Sequence, residues 1–438
     1  MNYKFIYGLK HYYHFVPFFE DSNGFVESGF FSEDALNQLK IMFLRICQKH
    51  FGFYYDDDDS VTEYFCNNTA LLRVQPVMGA HVINMPVSDA VNYVKNQNKK
   101  NVLLFGLDEQ LQDFALDKVH TIATLLKDTH EEIYYITDDL EGAEIYKEYC
   151  RIYNTEPAMK IFSGIHTAVH DIADATPYRA PNSDLNNRPY KYLFYSRMPR
   201  SHRLCMLGYL AKNNLIEQGL ISANQDTVDV IGQFRQNDME YINDLLPGLR
   251  DLYGKEHLFP RVIDLEDLYP DHEHGVNICS VLESNFEARD SSYFSLVSET
   301  VFWKEAVYPG DMSHIGGRSL TEKTFKPIFI EHPFVLLSHA GSLSELRSRG
   351  FKTFSDFWDE SYDDCTSDIQ RLTKVQELAK HLCAKSNSEW DDIYKDLAPI
   401  LKHNRELVST PPLNFTNNVE VRELHNFITG KGTDPQYA

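Results

Sequence analysis

Two stretches of this chain gather basic side chains where a helix should begin, an arrangement suited to binding a phosphate-rich anion. In the first, KYLFYSRMPRSHR, the residues Arg197, Arg200, His202 and Arg203 follow a strand-like run and open a helical one. Arg200 and Arg203 are three apart and share a helix face. Pro199 suits the first helical turn, where its missing N–H costs nothing. Cations ordinarily avoid a helix N-terminus, because the aligned peptide dipoles already make that end positive. Clustering arginines there makes electrostatic sense when an anion sits among them and free backbone N–H groups complete the cradle. The competing account pairs these arginines with surface carboxylates. With 42 basic against 64 acidic residues and a net charge of −22, so local a reversal of sign is informative.

The second stretch reads SETVF, then a Gly-rich insertion, YPGDMSHIGGRS, then LTEKTFKP. Thr321 is placed to cap a helix, with Glu322 and Lys323 in its first turn. Lys326 shares a face with Lys323, and Pro327 falls early enough to cost one or two hydrogen bonds. A first-turn Glu is ordinary helix chemistry, whereas Lys323 gains nothing from the dipole.

The pattern SETxF…LTEKTFKPI…HPFVLL resembles the α-1,3-fucosyltransferase signature FENS…DYxTEKxxxNAL…VPVV, and SRMPRSHR resembles that family's SN…R segment. The likeness covers about 190–355, and the TEK helix is its most specific part. It implies a GT-B glycosyltransferase whose two Rossmann-like domains face each other across a cleft. Arg203 and Lys323 would bind the donor diphosphate, Glu322 the ribose hydroxyls, and Glu299 would line the donor-sugar site. Thr321, Arg197, Arg200 and Lys326 would assist. Ser298-Glu299-Thr300 departs from ENS, and Pro327-Ile328 from Asn-Ala, which leaves the sugar open. TEKTFKP-type segments also occur in phage- and virus-like transferases.

The chemistry of the residues agrees with the resemblance. A nucleoside-diphosphate leaving group gathers negative charge as the glycosidic bond breaks. Transferases meet that charge either with a divalent ion on a DxD pair or with Arg, Lys and helix N-termini. This chain supplies the second set, so no metal or other cofactor is expected beyond a GDP-, UDP- or dTDP-sugar as substrate. Triplets such as Asp56–Asp58 and Asp264 with Glu266 are frequent in so acidic a chain, and the run Asp56–Asp59 and the tract Asp271-His272-Glu273-His274 read as polar loops. An inverting reaction needs a base for the acceptor hydroxyl. Asp138 and Asp139, in ITDDLEG after a strand, are the candidates, with helix capping as the alternative role. Glu63 and His81 are weaker ones.

Elements must hold these groups in place. The 438 residues suffice for two or three domains of about 150 each, and 43% apolar residues suffice for real cores. Strands are expected at Asn101–Gly106, Glu132–Thr137, Tyr192–Tyr195, Val228–Ile231, Phe294–Val297 and Phe334–Leu337. Helices are expected up to Leu126 (inward positions Phe114, Val119, Ile122 and Leu125), over about 141–153 and 200–213, and near 321–330. Strands alternating with helices mean parallel α/β sheets. The expected domains are 1–185 on the acceptor side, 186–365 for the nucleotide sugar, and a helical tail over 366–438, with the Pro- and Asn-rich run Thr176–Pro189 as linker.

No run of about 18 apolar residues offers a membrane span, and seven scattered cysteines without a CxxC pair fit a reducing cytoplasm. The acidic balance argues against nucleic acid as partner, and the resemblance implies a carbohydrate or glycoconjugate acceptor. Two rivals stay open: a phage-type transferase that modifies DNA, and a non-catalytic nucleotide- or sugar-binding interaction protein.

Overall fold

The computed structural model describes 4–5, 19–21, 24–25, 40–41, 43–44, 47, 58–73, 86–106, 113–137, 139, 141–163, 178–181, 188–196, 201–223, 286–299, 302–303, 320–409 and 418–430. In chain order come β1 (Lys4–Phe5), β2 (Phe19–Asp21), β3 (Gly24–Phe25), α1 (Asp58–Asn68), β4 (Thr69–Arg73), α2 (Val87–Asn96), β5 (Asn101–Gly106), α3 (Asp113–Leu126), β6 (Glu132–Thr137), α4 (Gly142–Ile152) and β7 (Lys160–Ser163). After these come β8 (Tyr190–Ser196), α5 (Ser201–Lys212), β9 (Gly219–Ala223), α6 (Phe286–Asp290), β10 (Ser292–Ser298), α7 (Glu322–Phe329), β11 (Phe334–Leu337), α8 (Ser342–Ser348), α9 (Asp368–Ala384), α10 (Asn387–Val408) and α11 (Asn418–Thr429). The chain forms two units. One comprises Met1–His170, Lys304–Ser319 and Thr410–Ala438; the other comprises Asp171–Trp303 and Leu320–Ser409. The expected tail is thus shared between them, α9 and α10 going to the second and α11 to the first.

In the first unit β1, β2 and β3 form a small antiparallel sheet, and β4-β5-β6-β7 a parallel one in sequential order. Apolar runs such as Val102-Leu103-Leu104 in β5 are buried, as a parallel sheet covered on both faces requires. One face, presenting Leu71, Leu103, Tyr134, Ile136 and Phe162, packs against Val61 and Phe65 of α1 and against Leu424, Phe427 and Ile428 of α11. In α3 the inward stripe is Val119, Ile122, Ala123 and Leu126, while Leu125, expected inside, is 51% exposed. The stripe follows i, i+3, i+4, i+7, and position 125 falls beside it. Gly430, just past α11, has φ +64°, and a Cβ there would stand 2.2 Å from the Tyr64 ring. Only glycine allows both that backbone conformation and the close approach of α11 to α1.

The second unit carries a parallel sheet in the order β11-β10-β8-β9. Helix α9 lies against α5 and β11, and α10 lies against α7. Helix α10 starts from a capping box, the Ser386 hydroxyl and the Glu389 carboxylate satisfying each other's backbone N–H groups. Its Trp390 ring stacks on Tyr293 and Phe294 of β10, with centroids 5.5 Å away in each case. The stretch expected as a linker belongs to this unit. The Tyr178 hydroxyl donates to Glu331 at 2.5 Å, Arg179 pairs with Asp290 at 2.6 Å, and buried Arg289 donates to the carbonyls of Arg179 and Ala180.

His332, fully buried before β11, bonds through Nε2 to the Ser292 carbonyl at 3.0 Å and through Nδ1 to the Ser295 hydroxyl at 2.8 Å. A carbonyl only accepts, so Nε2 carries the proton and Nδ1 accepts from Ser295. Burial, and then the nearby Arg188 guanidinium, push this imidazole from its usual 6.5 down to about 3. An unfolded chain takes up the proton near 6.5 while the folded one refuses it until about 3. The group's contribution is therefore complete above about 6.5 and falls by about 1.4 kcal/mol per pH unit below it. The stability deficit of His332→Gln should accordingly shrink between pH 7 and pH 4 in urea titrations, and a deficit that ignores pH would overturn this assignment.

No described helix is long and apolar enough to cross a membrane, and no disulfide joins the described cysteines.

Candidate functional site

The order β11-β10-β8-β9 creates a switch point. From β8 the chain moves by α5 to β9 on one side, and from β10 it moves by α7 to β11 on the other. Right-handed crossovers in opposite directions put α5 and α7 on opposite faces. The order of the strands therefore reverses between β8 and β10, and open α/β sheets bind ligands at the C-terminal ends of strands at such a reversal. Both basic stretches lead into these two helices.

Several of the expected residues are brought together there. Glu299 extends β10, its N–H donating to the Leu337 carbonyl at 3.0 Å. Its buried carboxylate accepts from the Thr321 N–H at 2.9 Å, the Thr321 hydroxyl at 2.6 Å and the Thr324 hydroxyl at 2.5 Å. A negative charge at the start of α7 suits the helix dipole. Thr321 caps the helix, as its sequence position predicts, its Oγ1 accepting from the Lys323 N–H at 3.4 Å. The Lys323 ammonium lies 3.1 Å from the same oxygen and 2.9 Å from Glu322 Oε1. Burial opposes the charge on Glu322, but Lys323 and Lys326 outweigh it and hold that carboxyl below its usual value. Lys323 and Lys326 are half-buried, whereas Glu299, Thr321 and Glu322 are buried.

Arg203, on α5, turns inward. Its Nε donates to the Ser298 hydroxyl at 3.2 Å, and its Nη2 to the carbonyls of Ser298 and Glu299, each at 3.1 Å. These bonds use three of the five guanidinium N–H groups. His202 Nε2 donates to the same Glu299 carbonyl at 3.0 Å. The two helix starts are thus tied through one residue, Glu299, by its carbonyl to α5 and by its carboxylate to α7. Beside them Ser196 ends β8, 2% exposed, and no described residue gives its Oγ a hydrogen-bond partner.

Sequence reading missed Arg371 of α9. Its guanidinium donates to the carbonyls of Phe302 at 2.8 Å, Ser338 at 2.9 Å and Cys365 at 3.0 Å, and to Asp368 at 2.5 Å. It therefore fastens the segments that follow β10 and β11, and it lies 4.4 Å over the Phe302 ring, which stacks on His202. The one local signal is an arginine within the apolar stripe of Leu372 and Val375, all three of them buried.

Asp139 belongs to the first unit. It is buried in the turn between β6 and α4, where Oδ1 accepts from the Glu141 N–H at 3.0 Å; this bond shapes the turn and is not the helix cap set against catalysis above, since the cap position of α4 is Glu141 and no side chain caps it. Glu63 is exposed on α1. Asp138, Arg197, Arg200 and His81 lie outside the described residues, as do Asp264, Glu266 and the run 271–274. Among the described residues no group of three His, Cys, Asp or Glu side chains converges as metal ligands would. Protein families, curated proteins and solved structures provide no match to this chain, so the functional reading rests on the residues of the switch point.

Proposed function

We propose that this chain is a GT-B-type glycosyltransferase that moves a sugar from a nucleoside diphosphate to a hydroxyl acceptor, its second unit holding the donor. The observation that carries this reading is the pairing of two helix starts at one switch point, with Lys323 and Lys326 on one and an unpartnered buried hydroxyl, Ser196, beside the other. Helix N-termini and ammonium groups are the means by which a transferase can stabilise a departing diphosphate without a divalent ion. In this reading Lys323 meets the phosphates, oriented by Glu322 and Thr321. Arg203 and Glu299 act as positioning residues, because their polar atoms bond within the protein. A GDP-, UDP- or dTDP-sugar is the donor and a carbohydrate the acceptor. For the deprotonating base this reading keeps Asp138, after the end of β6, ahead of Asp139, which is buried in its turn.

A non-catalytic nucleotide-binding module is the second reading, favoured by those same inward commitments of Arg203 and Glu299. Thermal unfolding with GDP, UDP and dTDP tests the site. At least one should stabilise the native chain, by about 2.7 kcal/mol at a hundred times its Kd, and Lys323→Ala should weaken that nucleotide about tenfold. No stabilisation by any of the three would overturn the donor site. Slow release of sugar from the matching nucleotide sugar separates the enzyme from the binding module.

A further inference from the structure

Tyr195 is out of place for its position in the sheet. Strand β8 is internal, paired with β10 on one side and β9 on the other. Its neighbours Leu193, Phe194 and Ser196 are at most 2% exposed, as a covered parallel strand requires. Tyr195, next to the end of the strand and opposite Ser222 of β9, is 40% exposed. Among the described residues of the second unit no other large apolar side chain is so exposed. Burial nevertheless pushes its hydroxyl well above the usual value. Its ring is open to solvent at the C-terminal end of an internal strand, the place where open α/β sheets bind ligands. Successive side chains on a strand point to opposite faces, so Tyr195 and Ser196 flank the end of β8 from its two sides.

We propose that Tyr195 is the platform on which the base of a bound nucleotide stacks, the nucleotide lying across the end of β8 with its diphosphate on the Ser196 side. This rests on the nucleotide-binding reading above. A flat ring beside an anion-accepting strand end matches the two halves of a nucleoside diphosphate, and stacking on an aromatic ring tolerates any base.

Affinities of GDP, UDP, dTDP and inorganic pyrophosphate, measured by calorimetry for the native chain, Tyr195→Phe and Tyr195→Ala, test this. Tyr195→Ala should weaken the nucleotide that the native chain binds about tenfold or more and leave pyrophosphate unchanged. Tyr195→Phe, which keeps the ring, should bind as the native chain does. A native chain that binds none of the three nucleotides overturns both the platform and the donor site. Full nucleotide affinity in Tyr195→Ala, or an equal loss of pyrophosphate, overturns the platform alone.

Discussion

Ending the chain at Ser409 is expected to unfold the first unit while the second stays folded. Helix α11 belongs to the first unit although more than two hundred residues separate it from β7. It inserts Leu424, Phe427 and Ile428, none more than 2% exposed, against β6 and α1. The Phe427 ring lies 4.4 Å from Tyr134 and 5.9 Å from Phe65. Removing one large core side chain costs about 2–5 kcal/mol, so losing three at once costs about 6–15 kcal/mol, as much as the roughly 5–15 kcal/mol that holds a typical domain. The second unit keeps its own helices, α9 and α10. Hydrogen exchange read by mass spectrometry should show protection lost over β4–β7 and kept over β8–β11. Retained protection of β4–β7 in the shortened chain would refute this role for α11.

Replacing Glu299 with alanine should cost about 3 kcal/mol and loosen the start of α7. Three donors lose their acceptor, all of them buried. The hydroxyls of Thr321 and Thr324 can rotate to seek others, but the Thr321 N–H cannot, and an orphaned buried donor costs about 1–3 kcal/mol. The dipole at the start of α7 also loses its compensating charge, about 0.3–2 kcal/mol more. Denaturant titration gives the total, and amide exchange at Lys323–Phe325 localises it. The outcome also decides between two roles. A Glu299 that only lined a donor-sugar site, as the resemblance implies, would change turnover in the alanine variant and leave stability intact. A loss below about 1 kcal/mol would therefore favour the sugar-facing role over the capping one.

Much of the local structure was legible in sequence because burial repeats with the period of each element. The apolar runs at 101–106, 132–137 and 334–337 gave three strands with the bounds expected of them, and Thr321 caps α7 as its type and place require. The strands β4, β7 and β9 escaped because four or five residues that mix polar or small side chains with apolar ones, as in KIFS or GLISA, carry too little pattern, whereas β11 is as short but wholly apolar. The strand expected at Val228–Ile231 lies outside the described residues.

Composition and spacing by themselves determined that this is an acidic α/β chain with two basic helix starts. Only tertiary structure decided what those starts do. Arg203 finds its acceptors 95 and 96 residues further on, and Glu299 finds its donors 22 and 25 residues away. Whether a charge looks outward to a ligand or inward to the fold depends on which carbonyls and N–H groups the sheet order delivers beside it. That order, β11-β10-β8-β9, like the return of α11 to the first unit, comes from pairings between distant segments that no local period records.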